Sequence, residues 1–145
     1  MAHVHVIEML IELFKPGSDK KYKVRCQMPL TLGDSEPEPD FAVVDRRKAA
    51  RAPRHPTSAL LVVEVASDSL ARDLDVKARL YARAGVTEYW VVDVEHQAVE
   101  VHRKPSPKTG TWRQRSRAGK ELRPTAALLA GVTVPVAPLF RRRAR

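Results

Sequence analysis

Cysteine, aromatic residues and long apolar runs are scarce in this chain, and each scarcity excludes a class of protein. Among the 145 residues only Cys26 is a cysteine, so no disulfide can form within the chain and a reducing, cytoplasmic setting is expected. No segment approaches the roughly 18 to 20 consecutive apolar residues that cross a bilayer. The first residues also lack the basic and then apolar order of a signal peptide. The sequence therefore predicts a cytoplasmic protein without a membrane span.

Two common phosphate and metal motifs are also missing. The chain has six glycines and no glycine-rich phosphate loop. Its five histidines do not share a metal-ligand spacing with the cysteine, which makes a zinc site a poor prediction. A site for nucleotides or zinc is therefore not expected from local motifs.

Basic residues, in contrast, are abundant. Lysine and arginine number 26 against 17 aspartates and glutamates, for a net charge of +9 and a pI near 10.1. This balance favours a polyanionic partner such as nucleic acid, because binding releases the counterions of the phosphates. Part of the excess lies in the terminal run of residues 141–145, which is more typical of a solvated end than of a binding arm.

Hydrophobic periodicity predicts one α/β layer domain. Val4, Ile7, Leu10, Ile11 and Phe14 recur at helical spacing up to Pro16, which predicts an amphipathic first helix. Strand patterns follow at residues 22–28, 41–45 and 60–66, with a basic surface loop at 46–58. A helix is predicted from about residue 70 to residue 84, and further strands at 88–94, 99–103 and 111–116, followed by irregular closing structure. The order of helix, three strands, helix and strands indicates a mixed sheet flanked by helices.

Two carboxylates stand at unusual places in these strands. Asp40 follows Pro39 and opens the apolar run of the second strand, and Glu64 interrupts the apolar third strand. A carboxylate in a buried strand must be paired, bound to a metal or placed at the rim, since burying it alone is too costly. The two acids are therefore candidate ligands for a hard divalent cation, with the carbonyl of Val65 or Ala66 as a further oxygen.

Lys77 is the third candidate. Leu70, Leu74, Lys77, Tyr81 and Ala84 follow four-three-four-three spacing, which places the lysine in the apolar seam of its helix. An inward lysine needs a compensating anion, which the carboxylates or a phosphate would supply.

Each of the three residues, taken singly, is also compatible with a purely structural role. Asp40 is typical of a turn cap, and Glu64 is equally compatible with an ion pair to an arginine of the 46–54 segment. Lys77 is compatible with a bond to Asp73, one turn earlier on the same helix. The conjunction of all three favours a site.

Together these residues resemble a known family. The runs at 36–44, 61–67, 80–86 and 88–93, with Asp73 and Lys77 between them, are similar to the Uma-two family of the restriction-endonuclease-like PD-(D/E)XK superfamily. The resemblance spans nearly the whole chain and implies an αβββαβ core, followed here by a C-terminal β-hairpin. Family members commonly carry an N-terminal hairpin before a histidine-led helix. This chain is expected to be a single domain (1–145) without that extension, with His3 at the histidine position.

The resemblance also implies a chemistry, the Mg2+-dependent hydrolysis of phosphodiester bonds in DNA, with Mn2+ as the other candidate ion. Asp40 and Glu64 match the metal-binding acids, Ala66 stands at the usual lysine position, and Lys77 fits a lysine moved to the following helix. Ser67 and Asp73 match supporting positions.

The expected partner is DNA. A basic segment is predicted to grip its backbone without reading sequence, through Arg46, Arg47, Lys48, Arg51 and Arg54. A homodimer would suit an enzyme that cuts two strands. The alternative function is a catalytically inactive module of the same fold that binds nucleic acid or oligomerises.

Overall fold

A six-stranded mixed sheet forms the centre of the protein in a computed structural model that describes residues 2–18 and 20–141. The strands are β1 (Tyr22–Arg25), β2 (Phe41–Asp45), β3 (Leu61–Ala66), β4 (Glu88–Asp93), β5 (Ala98–Ser106) and β6 (Thr111–Arg117). They lie side by side in chain order. Only β3 and β4 pair in parallel, and the other four pairings are antiparallel. A small second sheet pairs β7 (Glu121–Leu122) with β8 (Val134–Pro135).

The helices cover both faces of the large sheet. Helix α1 (Ala2–Phe14) packs its buried side chains against one face, together with most of the C-terminal apolar residues. The helix within residues 70–83 makes the crossover between the parallel strands β3 and β4 and covers the other face. Alternation along β3 therefore sends Val63 towards α1 and Val62 towards the crossover helix, so that Glu64 faces the crossover helix.

The crossover helix contains a local irregularity. It runs as Leu70–Arg72 in α-helical geometry, Asp73–Lys77 as a π-helical turn, and Ala78–Arg83 as α-helix again. Single π turns inside α-helices are rare and occur often at functional sites. The predicted helix over 70–84 is thus confirmed, but its uniform geometry is not.

The structure corrects several local predictions. The buried stripe of α1 is Val6, Leu10 and Phe14, whereas Val4 is 51% exposed. The predicted loop at 46–58 begins with a short helix, α2 (Arg46–Arg51), because the Asp45 carboxylate accepts bonds from the backbone N–H groups of the second and third helical residues. The crossover helix within residues 70–83 is the next helix along the chain and is called α3 below. Strand β1 ends at Arg25, two residues before the left-handed Gln27 (φ 50°).

At the other end of the chain, strand β5 extends beyond the predicted 99–103 to Ala98–Ser106, with Lys104 as a left-handed residue within it (φ 57°). The closing segment contains β7, β8 and two 3-10 turns, Ala127–Leu129 and Ala137–Phe140. Residues 142–145 of the terminal basic run lie outside the described residues. No helix among the residues that the structure describes is long and apolar enough to cross a membrane.

Candidate active site

Antiparallel pairing of β2 and β3 brings the two predicted acids together. The register sets Phe41 opposite Val63, which makes Asp40 and Glu64 the next neighbours along the two strands. The backbone N–H of Asp40 donates to Glu64 Oε1 at 3.1 Å, and the backbone N–H of Val65 donates to Asp40 Oδ2 at 2.7 Å. These reciprocal bonds fix the two carboxylates beside each other where β2 begins, and Asp40 is 19% exposed there.

Glu64 is buried in an entirely buried strand. Its side chain is 3% exposed, and its Oε2 atom accepts a bond from the Tyr81 hydroxyl at 2.9 Å. Burial raises the pKa of Glu64 from 4.5 to about 7, against the opposing effect of the nearby Lys77 ammonium. The carboxyl group therefore exchanges its proton near neutral pH, and a bound cation would favour its ionised form.

Lys77 forms ion pairs with one carboxylate of its own helix and one carboxylate of β3. Its Nζ atom lies 3.4 Å from Glu64 Oε2 and 3.1 Å from Asp73 Oδ1, and its side chain is 33% exposed. Burial acts to lower the pKa of Lys77, but the Glu64 and Asp73 carboxylates outweigh it, so that the pKa is raised and the ammonium stays charged. The sequence leaves a bond to Asp73 and a place beside Glu64 as alternatives, and the structure contains both contacts.

The two predicted supporting residues differ in their placement. Asp73 is 1% exposed and accepts a bond from the Ser69 hydroxyl at 3.0 Å. It therefore holds Lys77 from the helix side. Ser67 is exposed, and its only described bond is a long one (3.5 Å) to Asp68. Ser69 does not cap the helix through its side chain, because its hydroxyl is bonded to Asp73 instead.

Two residues that sequence reasoning did not assign to the site also touch the acids. His3 Nε2 lies 3.2 Å from Asp40 Oδ1, and Tyr81 is the hydroxyl donor to Glu64. Burial and the charge of Glu64 raise the pKa of Tyr81, so the phenol stays protonated as a donor. The position of His3 was indicated only by the family resemblance. Tyr81 shares the helical seam with Lys77, and that spacing was the available signal.

The basic residues predicted to grip DNA lie elsewhere. Arg46, Arg47, Lys48 and Arg51 belong to α2, and Arg54 follows it. Helix α2 begins directly after the last residue of β2, whereas the aspartate of the site precedes the first. Five strand residues separate the two ends by about 17 Å. Within the described part of the chain the second acid forms no ion pair with this segment, so that alternative for Glu64 is wrong.

The two carboxylates fit a hard divalent cation. An ionised carboxylate oxygen has two acceptor positions. Asp40 Oδ1, Asp40 Oδ2 and Glu64 Oε1 each face one protein donor, whereas Glu64 Oε2 faces both Tyr81 and Lys77. Three oxygens thus retain acceptor capacity. The carbonyl of Ala66 already accepts the N–H of Val94 at 3.0 Å.

Within the described residues, no group of three or more histidine, cysteine, aspartate and glutamate side chains is placed to hold a metal ion. The remaining ligands would have to be backbone or water oxygens. Mg2+ commonly keeps several waters and binds through one or two carboxylates, so a two-acid site suits it.

Comparison with known proteins decides the family. Residues 2–137 match the Uma2 family, whose description is "putative restriction endonuclease". The chain belongs to this family. The family resemblance predicted from the motifs is thereby confirmed. Membership of this family supports a nuclease-like function for the chain. A search of curated proteins finds no match.

One of two similar solved structures supports the fold. The crystal structure of a putative nuclease belonging to DUF820 from Anabaena variabilis ATCC 29413 superposes with a TM-score of 0.76 at 16% identity, covering 97% of the Uma2 chain and 80% of its own. The type IIG restriction endonuclease BpuSI gives a TM-score of 0.48 at 17% identity over 78% of the Uma2 chain and 12% of its own. The first similarity confirms the predicted restriction-endonuclease-like α/β fold.

Proposed function

We propose that this protein is a Mg2+-dependent DNA endonuclease that hydrolyses phosphodiester bonds, with Mn2+ as a competent substitute. The observation that supports it most is the meeting of two carboxylates and an ammonium from three separate elements. Lys77 Nζ lies 3.4 Å from Glu64 Oε2, and the backbone N–H of Asp40 donates a hydrogen bond to Glu64 Oε1. A cluster of charged side chains is costly to bury. Two carboxylates can hold the cation that hydrolysis of a phosphodiester requires, and an ammonium can stabilise charge on the phosphate.

Each residue has a proposed role. Asp40 and Glu64 hold the divalent cation, which supplies Lewis-acid stabilisation of charge on the phosphate when bound. Lys77 offsets charge at the scissile phosphate or orients the attacking water, while Asp73 positions the lysine from its own helix. Tyr81 fixes the Glu64 carboxylate by donating to Oε2. The exposed serine after β3, Ser67, stays a predicted supporting residue.

DNA contacts by Arg46, Arg47, Lys48, Arg51 and Arg54 stay a prediction. Helix α2 begins about 17 Å from Asp40 along β2, a distance of roughly five base-pair steps of duplex DNA. A homodimer in the cytoplasm completes the proposal, because two sites would cut both strands of a duplex.

The test is cleavage of supercoiled plasmid DNA with Mg2+ by the wild type and by Asp40→Asn, Glu64→Gln and Lys77→Met. Each substitution keeps approximate shape and removes one charge, and each should lower the cleavage rate at least about a hundredfold. Asp75→Asn is the matched control, since Asp75 lies on the same helix but is 69% exposed and paired with Arg79. Equal cleavage by all five proteins would reject the proposal.

The alternative is an inactive nuclease-fold module that binds nucleic acid or oligomerises. It is favoured by the fact that every oxygen of both acids already has a protein donor in the described structure. Such a module would bind DNA without specific uptake of Mg2+ or Mn2+, and no metal would induce cleavage.

A further inference from the structure

Most of the net positive charge of the chain is concentrated in one segment that the site does not use. Residues 98–123, here called the basic hairpin segment, contain eight lysines and arginines and two glutamates. Its net charge of +6 is two thirds of the +9 carried by the whole chain. The segment consists of β5, β6, their turn and the start of β7.

Only three of these eight cations form ion pairs among the described residues. Arg103 pairs with Glu88, Arg117 with Glu100, and Arg123 weakly with Glu121 at 3.8 Å. The other five form no ion pair within residues 2–18 and 20–141, and all are exposed: Lys104, Lys108, Arg113, Arg115 and Lys120. Their charges are therefore available to a partner.

Protection of a sheet edge explains only part of this pattern. Strand β6 is an edge strand, and exposed charges on an edge prevent pairing with other chains. A single charge of either sign would serve that purpose. Strand β6 instead has arginine at positions 113, 115 and 117 and no acid at all. Positions two apart on a strand lie about 7 Å from each other, so these cations repel one another until an anion approaches.

The register connects this strand to the candidate active site. Glu64 lies opposite Val91, Val91 opposite Glu100, and Glu100 opposite Arg117. Three strand spacings of about 4.8 Å place Arg117 roughly 14 Å from Glu64 in the same row of the sheet. This distance corresponds to about four base-pair steps of duplex DNA at 3.4 Å each. Because Val91 in the middle of this row is fully buried, a DNA strand that contacts both the acids and β6 would cross the ends of the strands instead of following the row.

We propose that the basic hairpin segment is a binding surface for the phosphate backbone of duplex DNA, independent of base sequence. This inference rests on the proposed nuclease function for its choice of partner. The exposed cations of β6 and its turn neutralise phosphates on one side of the cleavage point. They contribute more to DNA affinity than the basic helix α2, because the segment has five exposed cations without an ion pair among the described residues, whereas α2 has three.

The test uses the full chain and a fluorescent DNA duplex of about 20 base pairs, which is longer than the 14 Å row. EDTA is present throughout, so that binding is measured without cleavage. Fluorescence anisotropy is recorded between about 50 and 200 mM NaCl for the wild type and two triple variants. The hairpin variant is Lys108→Gln/Arg113→Gln/Arg115→Gln, and the matched variant is Arg47→Gln/Lys48→Gln/Arg51→Gln.

The hairpin variant should lose at least about tenfold in affinity, and its slope of log K against log salt should flatten by about 2.7, or 0.9 per lost phosphate contact. The matched variant should lose less than about threefold. All six residues are exposed and none of their side chains makes a described bond, so both variants should keep the wild-type melting temperature. Wild-type binding by the hairpin variant, a greater loss in the matched variant, or absence of salt-dependent binding by the wild type would each overturn the proposal.

This outcome is separate from that of the cleavage assay. A protein that binds through the hairpin and cuts nothing with any metal would refute the nuclease and leave the surface in place. A protein that cuts DNA but binds it equally well without the hairpin cations would refute the binding surface and leave the nuclease proposal in place.

Discussion

Glu64 combines deep burial with an ionisable carboxyl group, and its partners explain how the fold tolerates it. The N–H of Asp40, the Tyr81 hydroxyl and the Lys77 ammonium all lie against its two oxygens. Even so, burial dominates and raises the pKa of Glu64 to about 7. A group that the fold holds at this cost is a candidate for function rather than for stability.

The first prediction concerns the pH dependence of stability without metal. Glu64 has a pKa of about 7 when folded and 4.5 when unfolded, so between these values the folded state keeps a proton that the unfolded state releases. Stability from this group is therefore complete below pH 4.5 and decreases as the pH rises to 7, by about 3 kcal/mol. Urea unfolding in EDTA at pH 5 and pH 8 measures it.

Glu64→Gln is the control for that experiment. The glutamine cannot ionise, so the difference in unfolding free energy between variant and wild type should shift by about 3 kcal/mol in favour of the variant from pH 5 to pH 8. A difference that stays constant with pH would show that Glu64 does not titrate in this range.

His3 gives the second prediction. Its Nε2 atom lies 3.2 Å from Asp40 Oδ1, so it should orient that carboxylate towards a cation. Loss of a residue that hydrogen-bonds a metal ligand typically lowers metal affinity about 10- to 100-fold. His3→Ala should therefore weaken Mn2+ binding, measured by calorimetry, by at least about tenfold. His5→Ala is the control, because His5 lies on the same helix and instead donates to the carbonyl of Pro138. Equal affinities of both variants would assign His3 no part in the site.

At the scale of elements, the π turn of α3 places the lysine. Asp73 is anchored at the start of the turn, where its carbonyl accepts the Tyr89 hydroxyl at 2.9 Å, and Ala78 is buried after it. The turn fits one extra residue between these fixed points. Lys77 thereby reaches Glu64 as well as Asp73.

The third prediction removes that extra residue. Deleting Val76, which is 52% exposed, should restore regular α-helix between Asp73 and Ala78 and place Lys77 three α-helical residues (about 300° around the axis) after Asp73, where it now follows Asp73 by four residues of a π turn. DNA cleavage should be lost, while the melting temperature changes little. Val76→Ala keeps the chain length and should cleave at the wild-type rate. Full activity of the deletion variant would show that the turn does not position Lys77.

At the scale of the whole molecule, apolar periodicity predicted the fold, because a sheet covered on both faces requires continuous apolar strands such as Leu61–Ala66. It also predicted Asp40, Glu64 and Lys77 as candidates, since charged residues in apolar positions are conspicuous. It missed α2, whose formation depends on capping by a single side chain, Asp45. The π turn and the contact of the N-terminal histidine with the first acid depend on tertiary packing, which local patterns do not encode.

The fourth prediction concerns the closure of the C-terminal segment onto the sheet. Glu88 is fully buried, and its two oxygens accept bonds from Trp90, Arg103 and the backbone and hydroxyl of Thr125. Glu88→Ala leaves these donors without their acceptor and should cost about 3 to 5 kcal/mol of unfolding free energy. Glu121→Ala, at a 60% exposed side chain of the same segment, is the control. A Glu88 variant as stable as this control would contradict the role of the buried network.

Calorimetric titration of Mn2+ into the metal-free full chain at pH 7.5 tests the central claim most directly, since that claim is that Asp40 and Glu64 form one cation site. The expected result is a single site in the wild type, absent in Asp40→Asn and in Glu64→Gln, and unchanged in Asp75→Asn. No uptake by the wild type, or the same uptake by all four proteins, would contradict it.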